Sequence, residues 1–138
     1  MFAEGWALPK PDAFLAHFLP VIGADATFRQ PMFPDAHGPA EIEQMFRRLF
    51  VLLPHLNVTV RRSAIAGDAV FIESGCTATL GRAAVRFGVC DRFLIRDGKV
   101  AERRAFSDPL PVLLAVLAHP ANWPRVIRAR ASRMPAQS

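Results

Sequence analysis

The sequence predicts an α+β domain in which helices come first and long antiparallel strands follow. Three observations carry this. Pro39 to Leu53 repeats apolar residues at helical spacing. After it, four segments alternate with a period of two and are joined by short turn signals. In one of them Val85, Phe87, Val89, Asp91, Phe93 and Ile95 fall on one face, while the other face carries Arg86, Arg92 and Arg96. One strand face is thus apolar except for a single carboxylate. A carboxylate among Val and Phe must find a partner, take up a proton or face a cavity.

The elements follow in order. Pro11 to Leu19 reads as a short helix. Pro11 sits near its start, Asp12 suits its positive end, and Phe14, Leu15, Phe18 and Leu19 share a face; Pro20 ends it. Ala26 to Gln30 reads as a short strand, and residues 31–38 as a loop rich in Pro and Gly. Pro39 to Leu53 is the strongest helix, with Glu41 and Glu43 early, Arg47 and Arg48 later, and a stripe of Ile42, Met45, Phe46, Leu49, Phe50 and Leu53. The strands are Leu56 to Ile65, Ala69 to Leu80, Ala84 to Arg96 and Lys99 to Ser107. Their turns are Ala66-Gly67-Asp68, Gly81-Arg82 and Asp97-Gly98, the last a strong hairpin signal. Pro109 to Leu117 and Asn122 to Arg130 read as helical pieces separated by His119-Pro120.

With 138 residues the chain suits a single domain, residues 1–138, with a core at about 11–112 and a basic helical extension over 113–138. The formal net charge of +5 resides mostly in the extension. Residues 121–138 hold four arginines and no acid, and the remaining 120 hold 13 basic and 12 acidic side chains. No RNA-binding signature or zinc-finger spacing accompanies them, so no nucleic-acid partner is expected. Apolar runs fall short of the ~18–20 residues of a membrane span, and the tail is expected to dock on the domain or a dimer partner rather than on a membrane. Arginine outnumbers lysine 15 to 2, which suits a GC-rich bacterial genome. Cys76 and Cys90 lack CxxC spacing, and the first ten residues lack a basic-then-apolar leader, so the expected setting is reduced and cytoplasmic. The four scattered histidines form no metal pattern, and neither metal nor cofactor is expected.

Two blocks carry a family resemblance. One is Ala26–Pro31 (ATFRQP), a loop ending His37-Gly38, and the helix with Ile42 and Phe46. The other is Val89–Arg103 (VCDRFLIRDGKVAER), ending at Phe106 to Asp108. In order and spacing they resemble the nuclear transport factor 2-like superfamily, in its SnoaL-like and ketosteroid-isomerase-like branch. The resemblance implies a curved antiparallel sheet wrapped around N-terminal helices, a cystatin-like α+β barrel enclosing a cone-shaped pocket. It also implies dimerisation, commonly through the outer sheet face.

Under that resemblance Gln30 stands where ketosteroid isomerases carry their proton-shuttling aspartate, and Asp91 where they carry a protonated aspartate at the oxyanion. The base is replaced by an amide and, with no tyrosine in the chain, the isomerase's phenolic donor is missing, so steroid isomerisation by that mechanism is not expected. The Asp-Arg-Asp positions of limonene epoxide hydrolases fall on Cys76, Ser74 and Ala105, which cannot perform that chemistry. SnoaL-type polyketide cyclases use an acidic residue in a similar strand region, which leaves Asp91 as the candidate acid/base.

Asp91, Gln30 and Arg103 are therefore the candidate catalytic residues. Phe28, Phe46, Ser74, Cys76, Phe87, Val89 and Ala105 are the candidate ligand-binding residues. An Asp91 alone in an apolar cone would have a raised pKa suited to proton transfer. An Asp91 paired with Arg103, across the adjacent hairpin, would stay ionised, and the pair would bind an acidic or carbonyl group. Three functions stay open. One is a cofactor-independent isomerase, cyclase or dehydratase acting on a hydrophobic carbonyl compound. The second is a non-catalytic binding domain for an apolar ligand. The third is a dimeric module whose cone is filled by Phe28, Phe46, Phe87 and Phe93. An open pocket removes the third, and a closed Asp91–Arg103 pair favours the second.

Overall fold

The computed structural model describes residues 1–131. Its helices are α1 (Phe2–Ala7), α2 (Asp12–Phe18), α3 (Gly38–Leu52), α4 (Leu110–Ala118) and α5 (Trp123–Ala131). Its strands are β1 (Ile22–Gln30), β2 (Phe33–His37), β3 (Asn57–Ala66), β4 (Ala69–Leu80), β5 (Ala83–Arg96) and β6 (Lys99–Ser107). The strands form one curved, unclosed sheet in the order β2-β1-β6-β5-β4-β3. The expected α+β architecture is present, with helices against the concave face. One pairing departs from the all-antiparallel expectation: β1 runs parallel to β6. The chain returns to β1 only after β2, α3 and the whole β3–β6 meander, so the first strand meets the last one running the same way.

Local chemistry explains the elements. The β5–β6 turn has Asp97 at φ 52° and Gly98 at φ 73°, the left-handed pair that a two-residue hairpin requires. At the entrance to α3 the His37 backbone N–H donates to Glu41 Oε2 at 2.7 Å, occupying a donor that faces the first helical turn. His37 Nδ1 lies 3.3 Å from Thr27 Oγ1, so His37 acts in structuring the turn into the helix. The α3 stripe buries Ile42, Met45, Phe46 and Phe50.

Two elements exceed the sequence prediction. Residues 31–38 contain β2, which pairs antiparallel with β1. The N-terminus contains α1, whose Trp6 sits 4.7 Å from the Phe14 ring and 6.1 Å from the Phe50 ring, centre to centre. The core thus lies where α1, α2 and α3 press an aromatic cluster against the sheet. Val112 of α4 joins the same core. Residues 132–138, the end of the expected basic extension, lie outside the described residues.

Candidate functional site

Strand register brings Asp91, Arg103 and Gln30 together. In the sheet β1, β6 and β5 are successive neighbours. Asp91 is opposite Ala105 and Phe93 is opposite Arg103, so Asp91 and Arg103 lie diagonally on one face. Phe28 pairs with Arg103 in the parallel β1–β6 ladder, and Gln30 follows two residues later on the same side. A guanidinium can bridge the diagonal separation of ~7–8 Å that no direct neighbour contact would span.

The contacts follow from that placement. Arg103 Nε donates to Asp91 Oδ1 at 2.9 Å, and Nη2 lies 2.7 Å from the same oxygen. Arg103 Nη1 donates to Gln30 Oε1 at 3.1 Å. The guanidinium carbon stands 5.6 Å from the Phe28 ring centre and 5.9 Å from that of Phe46, so aromatic faces cover the cation. Asp91 is 2% exposed and Arg103 8%. Of the two arrangements open from sequence, the structure has the paired one.

A cavity of about 90 Å³ opens against this trio. One water needs ~10–15 Å³ by the same measure, so the space admits more than a single water. Gln30, Cys76, Phe87, Val89, Asp91, Arg103 and Ala105 all line it. Phe28 and Phe46 instead line a separate apolar chamber of about 40 Å³, with Trp6 and Arg103 as the shared wall. Ser74 lines neither cavity. It is fully buried on β4 and its Oγ has no hydrogen-bond partner. It borders instead a separate, more open hollow that it shares with Arg61, Val89, Ser107 and Asp108.

Cys76 faces the cavity, and burial, then the charge of Asp91, push its thiol up to about 11. A thiol held neutral that far above physiological pH is a poor nucleophile. Trp6 of α1 also lines the wall. Sequence reasoning missed Met32 from the β1–β2 turn, Phe33 from the start of β2, and Val112 from α4. The i, i+4 pair Phe2 and Trp6 was the available signal for α1. Asp108 also reaches the wall, and its Oδ1 accepts the Leu110 N–H at 2.9 Å, starting α4 beside the cavity mouth. No group of three or more potential metal ligands occurs among the described residues.

A family model for the SnoaL-like domain matches residues 2–103. The chain belongs to the SnoaL-like family. Among solved structures it is similar to a protein of Jannaschia sp. CCS1 described as a SnoaL-like polyketide cyclase. The two share 25% identity over 85% of this chain and 86% of that one, with a TM-score of 0.74. It also shares the fold of a ketosteroid isomerase-like protein of Catenulispora acidiphila solved with trimethylamine, at 20% identity, 88% and 92% coverage and TM-score 0.72. An LEH-like epoxide hydrolase of M. tuberculosis has the same fold at 22% identity, 88% and 90% coverage and TM-score 0.66. No curated protein matches the sequence.

Proposed function

We propose that this SnoaL-like chain binds a hydrophobic small molecule through a neutral carbonyl or hydroxyl oxygen, held by the Asp91–Arg103–Gln30 trio. The observation that carries the reading is the closed pair. Arg103 and Asp91 cancel each other's charge beside a mostly apolar cavity whose other polar side chains are Gln30, Ser107 and Asp108. A carboxylate ligand would meet Asp91, whereas a neutral oxygen would meet both a donor and an acceptor. Gln30 spends its Oε1 on Arg103 and keeps its amide N–H groups to donate. Arg103 Nε and Nη2 both reach Oδ1, which leaves Oδ2 of Asp91 as the acceptor for a ligand hydroxyl. The likeness to a protein described as a polyketide cyclase supports a carbonyl-bearing ligand class.

A second reading keeps Asp91 as the acid/base of an isomerase, cyclase or dehydratase. It is favoured by one fact, that Asp91 lines the cavity in person. The test is calorimetry with paired probes, hydrophobic ketones and the matching hydrocarbons, followed by product analysis. Binding predicts tighter association of the ketones, lost in Gln30→Leu, with the ketone recovered unchanged. Turnover that disappears in a folded Asp91→Asn protein establishes the catalytic reading instead. Equal affinity for ketone and hydrocarbon refutes the role given to the trio.

A further inference from the structure

We propose that α4 and α5 form a surface that seats the protein on an anionic lipid bilayer. On α4 the residues Leu110, Leu113, Leu114 and Leu117 recur at i, i+3, i+4 and i+7, the spacing of one helix face. All four are exposed, by 53%, 41%, 54% and 67%. The other side of the same helix already docks inward: Val112 is buried, and Ala115 and Val116 pack on the core. A helix that is apolar on every side belongs between two apolar environments, and the domain supplies one of them. The next helix repeats the arrangement. Val126 packs on the core while Trp123 and Ile127 are exposed. The Trp123 indole N–H donates to the Val116 carbonyl at 2.7 Å and ties α5 to α4.

Charge identifies the occupant. From Pro109 to Ser138 the sequence has four arginines and no acid, whereas residues 1–108 hold 13 basic and 12 acidic side chains. A second copy docking symmetrically on this face would bring two such segments together, like charge against like. An anionic bilayer attracts them, and each basic residue near such a surface raises partitioning roughly fivefold. Exposed Leu and Trp beside arginine is the composition of helices that lie in the interface plane. The helices are nine residues each, and no described helix is long and apolar enough to cross a membrane, so the contact is peripheral. Val112 also lines the cavity, so the α4 wall of the ligand site would lie against lipid. The proposal does not depend on which chemistry the cavity performs.

The test is co-sedimentation of the full chain with vesicles of phosphatidylcholine alone and of phosphatidylcholine with phosphatidylserine. Partitioning is expected to be at least roughly tenfold higher on the phosphatidylserine vesicles and to fall as salt shortens the screening length. Leu114→Glu with Leu117→Glu should abolish it at an unchanged melting temperature, since both side chains are exposed. Arg128→Glu, also at an exposed site, should weaken it while leaving the leucines in place. Equal sedimentation on both vesicle types overturns the proposal. So does a light-scattering mass showing a dimer that the leucine substitutions convert to monomer, which would give the face to a second copy.

Discussion

Arg103→Met is the most informative single change, because it separates the net worth of the buried pair from the cost of breaking it. The Asp91 side chain is 3% exposed and that of Arg103 10%, so solvent screens the pair little. Removing the guanidinium leaves a carboxylate among Phe87, Val89 and Ala105 with no cation. Removing one partner of a buried pair costs ~3–5 kcal/mol. The same substitution also strips Gln30 of its donor and uncovers the faces of Phe28 and Phe46. Asp91→Leu in the Arg103→Met background removes the stranded charge as well. A buried pair replaced by apolar residues of similar volume is often neutral or stabilising, so the double variant should recover most of that loss. The assay is urea unfolding of wild type, both single variants and the double at neutral pH. A double-mutant cycle should yield a coupling on the order of 3 kcal/mol. An Arg103→Met cost below about 1 kcal/mol would refute the reasoning, because no unpaired carboxylate could then be buried at Asp91.

Two further predictions concern other parts of the molecule. The Cys76 thiol is pushed up to about 11 from the ordinary 9.0, so between those values the unfolded chain sheds a proton that the folded chain keeps. The unfolded state then binds fewer protons, and stability present below pH 9 is lost as pH rises through the folded value. The loss is on the order of 2 kcal/mol, read as the difference in alkaline urea midpoints between wild type and Cys76→Ala; parallel curves refute it. At Gly5, a Cβ would lie 2.4 Å from the Phe18 ring and 2.6 Å from His17 Cδ2. Overpacking of ~1–3 kcal/mol should outweigh the ~1 kcal/mol that Ala gains in helix propensity, lowering the melting temperature of Gly5→Ala. An unchanged or raised value would mean that α1 is not seated tightly on α2.

What could be read from sequence depends on the range of the interaction. Asp91 stood out because a carboxylate interrupts a period-two apolar face, which is local information. Arg103 was legible only through the family resemblance: regular pairing from the Asp97-Gly98 turn would set Phe93 opposite Glu102, and a bulge between Leu94 and Ile95 shifts the register to bring Arg103 there instead. Gln30 reached the site only through family resemblance, since it lies 73 positions from Arg103 and no local pattern announces a parallel β1–β6 pairing. Helix α1 was missed because six residues, one of them Gly5, cannot hold a helix alone; the packing of Phe2 and Trp6 does so. Strand β2 was missed because Pro34 argues against a strand interior, yet an edge strand tolerates it. For Ser74, alternation names a face but not which hollow along it the side chain borders.

The closed trio also bears on selectivity. A lone protonated Asp91 would hydrogen-bond almost any oxygen and tolerate a ligand without one, since a neutral acid in an apolar pocket strands little charge. The observed arrangement is less forgiving. A hydrocarbon filling the cavity would exclude water from Asp91 Oδ2 and the Gln30 amide N–H groups while offering them nothing. Sites built to hydrogen-bond a ligand reject analogues that lack the group far more strongly than apolar pockets reject a missing methylene. Under the proposed binding role the ion pair that ties up Asp91 would also be the source of discrimination, and Gln30 is where that discrimination could be reduced without removing a charge. Gln30→Leu should close the gap between ketone and hydrocarbon while Asp91 and Arg103 remain paired.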